Sequence, residues 1–197
     1  MGFDWSILHW IQENMHNWLL DTVMPKITFL GDMGMIWIAA AILLICIKKY
    51  RRYGVLLLIG LAAGVVIGNL CLKNLIARPR PCWLDQSVHM LVSRPADYSF
   101  PSGHTLSAVI AATILTAADK HFGLAAIPLA ALIAFSRLYL YVHFPSDILG
   151  AVLIGLLIGF VLLYVSGEWK HGGQNNRRLR PATLPPAAKN DMPAPRT

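Results

Sequence analysis

Three short segments carry residue types that converge on one chemistry. The first runs from Lys73 through Arg78-Pro79 to Arg80-Pro81. The second is Pro101-Ser102-Gly103-His104, and the third runs from Ser136-Arg137 through His143 to Asp147. Converging cations suit an anionic, oxygen-rich group, because Arg meets phosphate with a planar fork and Lys adds a point charge. Ser102-Gly103-His104 opens a predicted helix, whose first turn presents free N–H groups to anions, and Gly103 lets a ligand approach the backbone closely. Pro145 suits a first helical position and puts Asp147 in the first turn, where it can reach back to His143. A carboxylate on one imidazole nitrogen fixes the tautomer and leaves the other free to attack. The set reads as phosphoryl transfer. His143 is the nucleophile, Asp147 orients it, and His104 protonates the leaving oxygen. Lys73, Arg80, Ser102, Gly103 and Arg137 hold the phosphate oxygens. This scheme calls on no metal and no other cofactor, and the sequence has no HExxH, EF-hand or acidic cluster. Arg78 is an extra cation, either a contact for a second phosphate or a solvated charge.

These segments need elements that gather them. Of 197 residues, 56% are hydrophobic and 14% charged, against about 25% charged in soluble domains. That shortfall excludes an ordinary water-soluble globule, and the hydrophobicity excludes a disordered body. Apolar stretches cover 27–47, 54–72, 105–118, 122–142 and 148–165. The predicted fold is all-α: a polytopic membrane bundle of about five transmembrane helices. An N-terminal amphipathic helix over 1–22 precedes them, its tryptophans suited to an interface. The third stretch gives only about 21 Å of helix at 1.5 Å per residue, so its start is recessed or the helix runs on.

The membrane-embedded domain is read as 1–169. The basic, Pro-rich tail at 170–197 is read as unpacked, and it holds most of the net charge of +7. The charge is therefore weak evidence for nucleic acid, and no nucleic-acid partner is expected. Cys46, Cys71 and Cys82 form no CxxC pair, and spacing alone does not call for a Cys71–Cys82 disulfide. Basic residues at 48–52, near 119–121 and in the tail fall on one side of a five-span bundle, read as cytoplasmic. The three chemical segments then meet at the outer end. Charges at membrane depth are costly and point to function.

The three segments resemble the signature motifs of the type 2 phosphatidic acid phosphatase / vanadium haloperoxidase superfamily: K-x6-R-P, P-S-G-H and S-R-x5-H-x3-D. Lys73 to Arg80-Pro81, Pro101 to His104, and Ser136-Arg137 with His143 and Asp147 fit them without departure. The similarity covers roughly residues 50–166. It implies a metal-independent phosphohistidine mechanism at His143, with His104 as general acid, Asp147 as orienting group and the five other residues on phosphate. It also implies an integral membrane lipid phosphatase of the plasma membrane, acting on a lipid phosphate or pyrophosphate, with the bilayer itself as partner. Undecaprenyl pyrophosphate is the favoured substrate, with phosphatidylglycerophosphate or phosphatidic acid as alternatives. A vanadate-dependent haloperoxidase-like oxidase and a non-enzymatic lipid-binding protein are the readings of another class. Soluble oxidase substrates give no reason for a lipid-embedded site.

Overall fold

A computed structural model describes residues 2–168; the expectations for the 170–197 tail lie outside them. Regular structure among the described residues is helical. The order is α1 (Phe3–Asn14), α2 (Trp18–Leu30), a 3-10 turn (Asp32–Gly34), α3 (Met35–Cys46) and α4 (Arg51–Gly64). A π-helical segment (Val65–Leu72) leads into α5 (Lys73–Ile76), followed by α6 (Pro81–Leu84), α7 (Gly103–Ala118), α8 (Lys120–Tyr139) and α9 (Pro145–Val165). The helix that contains α4, together with α8 and α9, is long and apolar enough to cross a membrane. The pair α2 and α3 makes a fourth crossing, bent by 43°. Apolar α7 is the fifth helix of the bundle.

Two expectations for the N-terminal part need correction. The helix predicted over 1–22 stops at Asn14, and Asn17 starts a new one, its side-chain oxygen accepting from the N–H groups of Leu19 and Leu20 (3.1 and 3.0 Å). The first span begins at Trp18 rather than near 27. It breaks at the 3-10 turn, where Met33 and Gly34 are both left-handed, with φ of 51° and 69°. Apolar residues flank Gly31-Asp32-Met33-Gly34 on both sides, so hydropathy averaged over the stretch reads as one span. Pro128, by contrast, leaves α8 continuous. Helix α1 packs Leu8 and Ile11 against Tyr139, Tyr141 and Phe144, at the ends of α8 and α9 that flank the Tyr141–Phe144 turn, and leaves Phe3 and Trp10 exposed.

Helix α7 lies at the centre, with Leu106, Ala108, Ile110, Ala111 and Ile114 fully or almost fully buried. Small residues on its neighbours let the backbones close on it, the packing mode that replaces hydrophobic drive in lipid. A Cβ on Gly60 of α4 would meet Ile110 Cγ2 at 2.7 Å, and one on Gly155 of α9 would meet Val109 at 3.0 Å and the Leu106 carbonyl at 3.2 Å. Helix α7 has 16 residues, or about 24 Å, against a hydrocarbon core of roughly 30 Å. Its N-terminus therefore lies below the bundle end.

The opposite end holds the basic turn. Lys49 donates to the Tyr50 hydroxyl (2.8 Å), which donates to Asp119 (2.9 Å), and Arg52 reaches Glu168 (3.4 Å). The turns at 47–50 and 119, and the end of α9, thus share one end. Cys46, Cys71 and Cys82 are free thiols.

Gly155→Leu should lower stability by about 1–3 kcal/mol, because α7 cannot retreat from both α4 and α9. Thermal unfolding in detergent should show it. An unchanged Tm would mean that the α7–α9 contact is looser than described.

Candidate active site

The three segments meet in one cavity of about 920 Å³ at the end of the bundle away from the basic turn. Lys73, Arg80, Gly103, His104, Arg137 and His143 line it. Lys73 follows the π-helical segment, a wide-turn geometry that recurs at functional sites, and Ala77 at φ 48° ends that helix. The chain then turns back through Arg78-Pro79 to deliver Arg80. His143 sits in the turn between α8 and α9, beyond Tyr141, which is itself left-handed at φ 60°.

His143 is 1% exposed. Its Nε2 lies 3.0 Å from Arg80 Nη1. A guanidinium has only donors, so Nε2 accepts and the proton belongs on Nδ1. Burial pushes the His143 imidazole down to about 3, and the Arg80 and Arg137 charges add to burial while Asp147 opposes it. The ring is neutral, with its basic nitrogen toward the cations.

The contact with Asp147 differs from the expected direct bond. Nδ1 stands 3.6 Å from Asp147 Oδ2, beyond hydrogen-bond length. The Ser99 hydroxyl bridges the pair: it lies 3.5 Å from Nδ1 and donates to Asp147 Oδ2. Asp147 is fully buried, and Oδ2 also accepts from the Phe144 N–H (2.8 Å). Oδ1 takes Arg78 Nη1 at 2.5 Å. Arg78 in turn bonds Ser146 Oγ (2.7 Å) and Asp4 of α1 (2.7 Å), and lies over the Phe144 ring. In this structure Arg78 is the counter-ion of Asp147.

The cations are held open to an anion. Arg80 donates from Nη2 to Asp97 Oδ1 (2.6 Å) and from Nε to the Asp97 carbonyl (2.7 Å), and Lys73 donates to Asp97 Oδ2. Burial pushes the Asp97 carboxyl up, but Lys73 and Arg80 outweigh it and hold it at about 2. The Asp97 side chain is 55% exposed while those of Lys73 and Arg80 are 7% and 2%. A carboxylate that stands outside two buried cations can give way to an incoming oxyanion. Arg137 donates to Thr28 Oγ1 (2.5 Å), and its buried Nε has no partner among the described residues. A buried donor of this kind can take an acceptor from the cavity.

Ser102 caps α7. It is fully buried, its hydroxyl accepts from Thr105 Oγ1 (3.1 Å) and Thr105 N (3.5 Å), and its N–H faces the Asp147 carbonyl (3.4 Å). Gly103 faces the cavity, where a Cβ would come within 3.1 Å of Asn69 Oδ1. His104 bonds Asp32 through Nε2 at 2.8 Å.

Thr28, Asp32, Asn69, Asp97 and Ser99 are thus parts of the site that the motifs do not contain. Only Asp32 carried a sequence signal, as a carboxylate inside an apolar stretch. The cavity also runs between α3 and α4, where Ile38, Leu58, Leu61 and Val65 wall it. One end is cationic and the other is apolar.

With histidine labelled for NMR, the His143 ring should stay neutral from about pH 8 to about pH 5, with the resonance assigned by its loss in His143→Gln. A midpoint near the ordinary 6.5 would overturn the buried, Arg80-capped ring.

Comparison with known proteins bears on the family and the fold. The family described as the PAP2 superfamily matches residues 52–170. An undecaprenyl-diphosphatase of Sulfolobus acidocaldarius is 30% identical over 84% of this chain and 79% of its own. Aquifex aeolicus LpxE superposes with a TM-score of 0.74 at 28% identity, over 83% of this chain and 96% of that one. The transmembrane PAP2-type phosphatidylglycerolphosphate phosphatase of Bacillus subtilis superposes at 0.66 and 26% identity, over 91% and 90%.

Proposed function

Since the chain belongs to the PAP2 superfamily, we propose that its cationic cavity hydrolyses a lipid phosphate or pyrophosphate, undecaprenyl pyrophosphate first among them, without a metal. The observation that carries this reading is one cavity with two ends. Buried Arg137, with its unpartnered Nε, stands with Lys73 and Arg80 beside neutral His143, while the far walls are apolar. A phosphate head group fits the first end and a prenyl or acyl chain the second. The undecaprenyl-diphosphatase relative supports the pyrophosphate substrate. The phosphatidylglycerolphosphate phosphatase neighbour supports a second reading, a phosphatidylglycerophosphate or phosphatidic acid substrate.

In the proposed reaction the head group displaces Asp97 from Lys73 and Arg80, and Arg137 Nε gains its missing acceptor. Arg80 leaves His143 Nε2 for a phosphate oxygen. The Nε2 lone pair attacks phosphorus, the bond from phosphorus to the leaving oxygen breaks, and His104 protonates that oxygen. Asp147 and Ser99 receive the Nδ1–H and stabilise the positive charge on the phosphorylated ring. His104, now neutral, takes a proton from water, whose oxygen attacks phosphorus and returns His143. Lys73, Arg80 and Arg137 bear the charge of both transition states.

We place the site at the outer face of the plasma membrane. The basic turn 48–52 lies at the other end of the bundle, and Lys and Arg in short loops favour the cytoplasm. On this reading the 170–197 tail is cytoplasmic and separate from the 1–169 domain.

Purified protein should release phosphate from at least one of undecaprenyl pyrophosphate, phosphatidylglycerophosphate and phosphatidic acid with EDTA present. His143→Ala should lose at least about 10³-fold in kcat. Near-full activity in that variant would remove His143 from the nucleophile role, and a requirement for added divalent metal would overturn the mechanism. Gln86→Cys should react with an impermeant maleimide on intact cells; labelling only after lysis would invert the orientation.

A further inference from the structure

The break between α2 and α3 sets a short loop against α7 and α8. Met33 is left-handed and 90% exposed, and it is followed by left-handed Gly34. A non-glycine residue held in that region marks a conformation that its surroundings must impose. What the break does is turn Asp32 onto the site. Its Oδ1 lies 2.8 Å from His104 Nε2. The preceding residue packs on the same ring: a Cβ on Gly31 would come within 2.8 Å of His104 Cδ2 and 3.1 Å of Ile133 Cγ2. The loop therefore grips the imidazole from two positions. Both lie outside the three motifs and outside residues 52–170 matched by the family.

The charges around His104 make this contact consequential. Burial is the first cost of a charge on this ring, Arg137 of α8 and Lys73 of α5 add to it as like charges, and Asp32 is the anion set against all three. Without a carboxylate at that position, an imidazolium beside two cations is repelled by both. We propose that Asp32 is a positioning residue for the reaction: its carboxylate holds the His104 imidazolium by Nε2 and commits Nδ1 to the departing oxygen. This rests on the phosphatase reading given above. As the bond from phosphorus to the leaving oxygen breaks, that oxygen takes the electron pair and the Nδ1 proton. The Nε2–H stays on Asp32, and the ring is left neutral. Asp32 itself does not touch the substrate.

The role has a signature that a structural role lacks. A lipid alkoxide leaves only if protonated, whereas an aryl oxide such as p-nitrophenolate leaves without help. Loss of proton delivery should therefore depend on the leaving group. Full-length protein in detergent is assayed with phosphatidic acid and with p-nitrophenyl phosphate. Asp32→Asn should lower kcat for phosphatidic acid by about 10²-fold, at the low end of what general-acid catalysis supplies, with KM little changed. The p-nitrophenyl phosphate rate should fall by less than about fivefold. Asp32→Glu should restore part of the alkyl rate. His104→Ala should show the same leaving-group dependence, and adding Asp32→Asn to it should cost nothing more. Equal losses on both substrates, or no loss on either, would overturn the proposal. Should Asp32→Asn fail to fold, Gly31→Ala decides: it displaces the ring with Asp32 intact, and a selective loss on phosphatidic acid is required. Wild-type protein inactive on both substrates and on undecaprenyl pyrophosphate would defeat the phosphatase reading and the role of Asp32 with it. Wild-type activity with substrate-blind variants would defeat only the role of Asp32.

Discussion

Lys73, Arg80 and Arg137 stand together with almost no access to water, and their repulsion must be offset inside an apolar bundle. Burying even one unpaired charge is prohibitive, so this cluster dictates much of the surrounding structure. Asp97 is drawn over two of the cations, Asp32 stands near the third, and Thr28 supplies Arg137 with an acceptor from α2. The offset is incomplete by design of the fold, since Arg137 keeps an unpartnered Nε. On the proposed reading, an anion entering the cavity completes it. Burial keeps His143 neutral and the same field adds to it, because a second proton there would place a charge beside Arg80.

Behind this cluster stands a second one of opposite sign. Asp147 is fully buried, and its oxygens are occupied by Arg78, Ser99 and the Phe144 amide. Arg78 is tied in turn to Asp4 on the amphipathic first helix. Burial opposes ionisation of Asp4, and its bonds to Ser146 and Arg78 overcome that and lower its carboxyl. The N-terminal helix therefore does more than lie against the bundle. It supplies the outermost charge in a chain that runs from Asp4 through Arg78 and Asp147 to His143. In a medium of low dielectric such chains fix geometry strongly when every member is satisfied.

Much of this was legible beforehand for physical reasons. A membrane helix must be apolar over its length, so five stretches stand out, and phosphate recognition needs cations at fixed spacing, so the motif residues do too. What stayed hidden depends on contacts across the fold. Asp97 and Ser99 lie in a loop without periodicity, and their partners are 17 to 48 residues away in sequence. Ser102 looked like a phosphate contact because a helix N-terminus offers N–H groups; the structure gives its hydroxyl to the cap and its N–H to Asp147. The break at Gly31–Gly34 is conformational, and hydropathy carries no trace of a left-handed pair. Arg78 needed Asp147 and Asp4 in place before its role could be seen.

Asp97 also bears on turnover. It is a carboxylate tethered beside Lys73 and Arg80, and a group attached through a short stretch of chain competes as though present on the order of millimolar. Every anion that occupies the cations, free phosphate included, must outcompete this resident. A head group anchored by its lipid tail has binding energy to set against it, and the detached phosphate has none. On the proposed reading, Asp97 thus weakens competition by the detached phosphate. Once the head group has gone, the tethered carboxylate can return to Lys73 and Arg80.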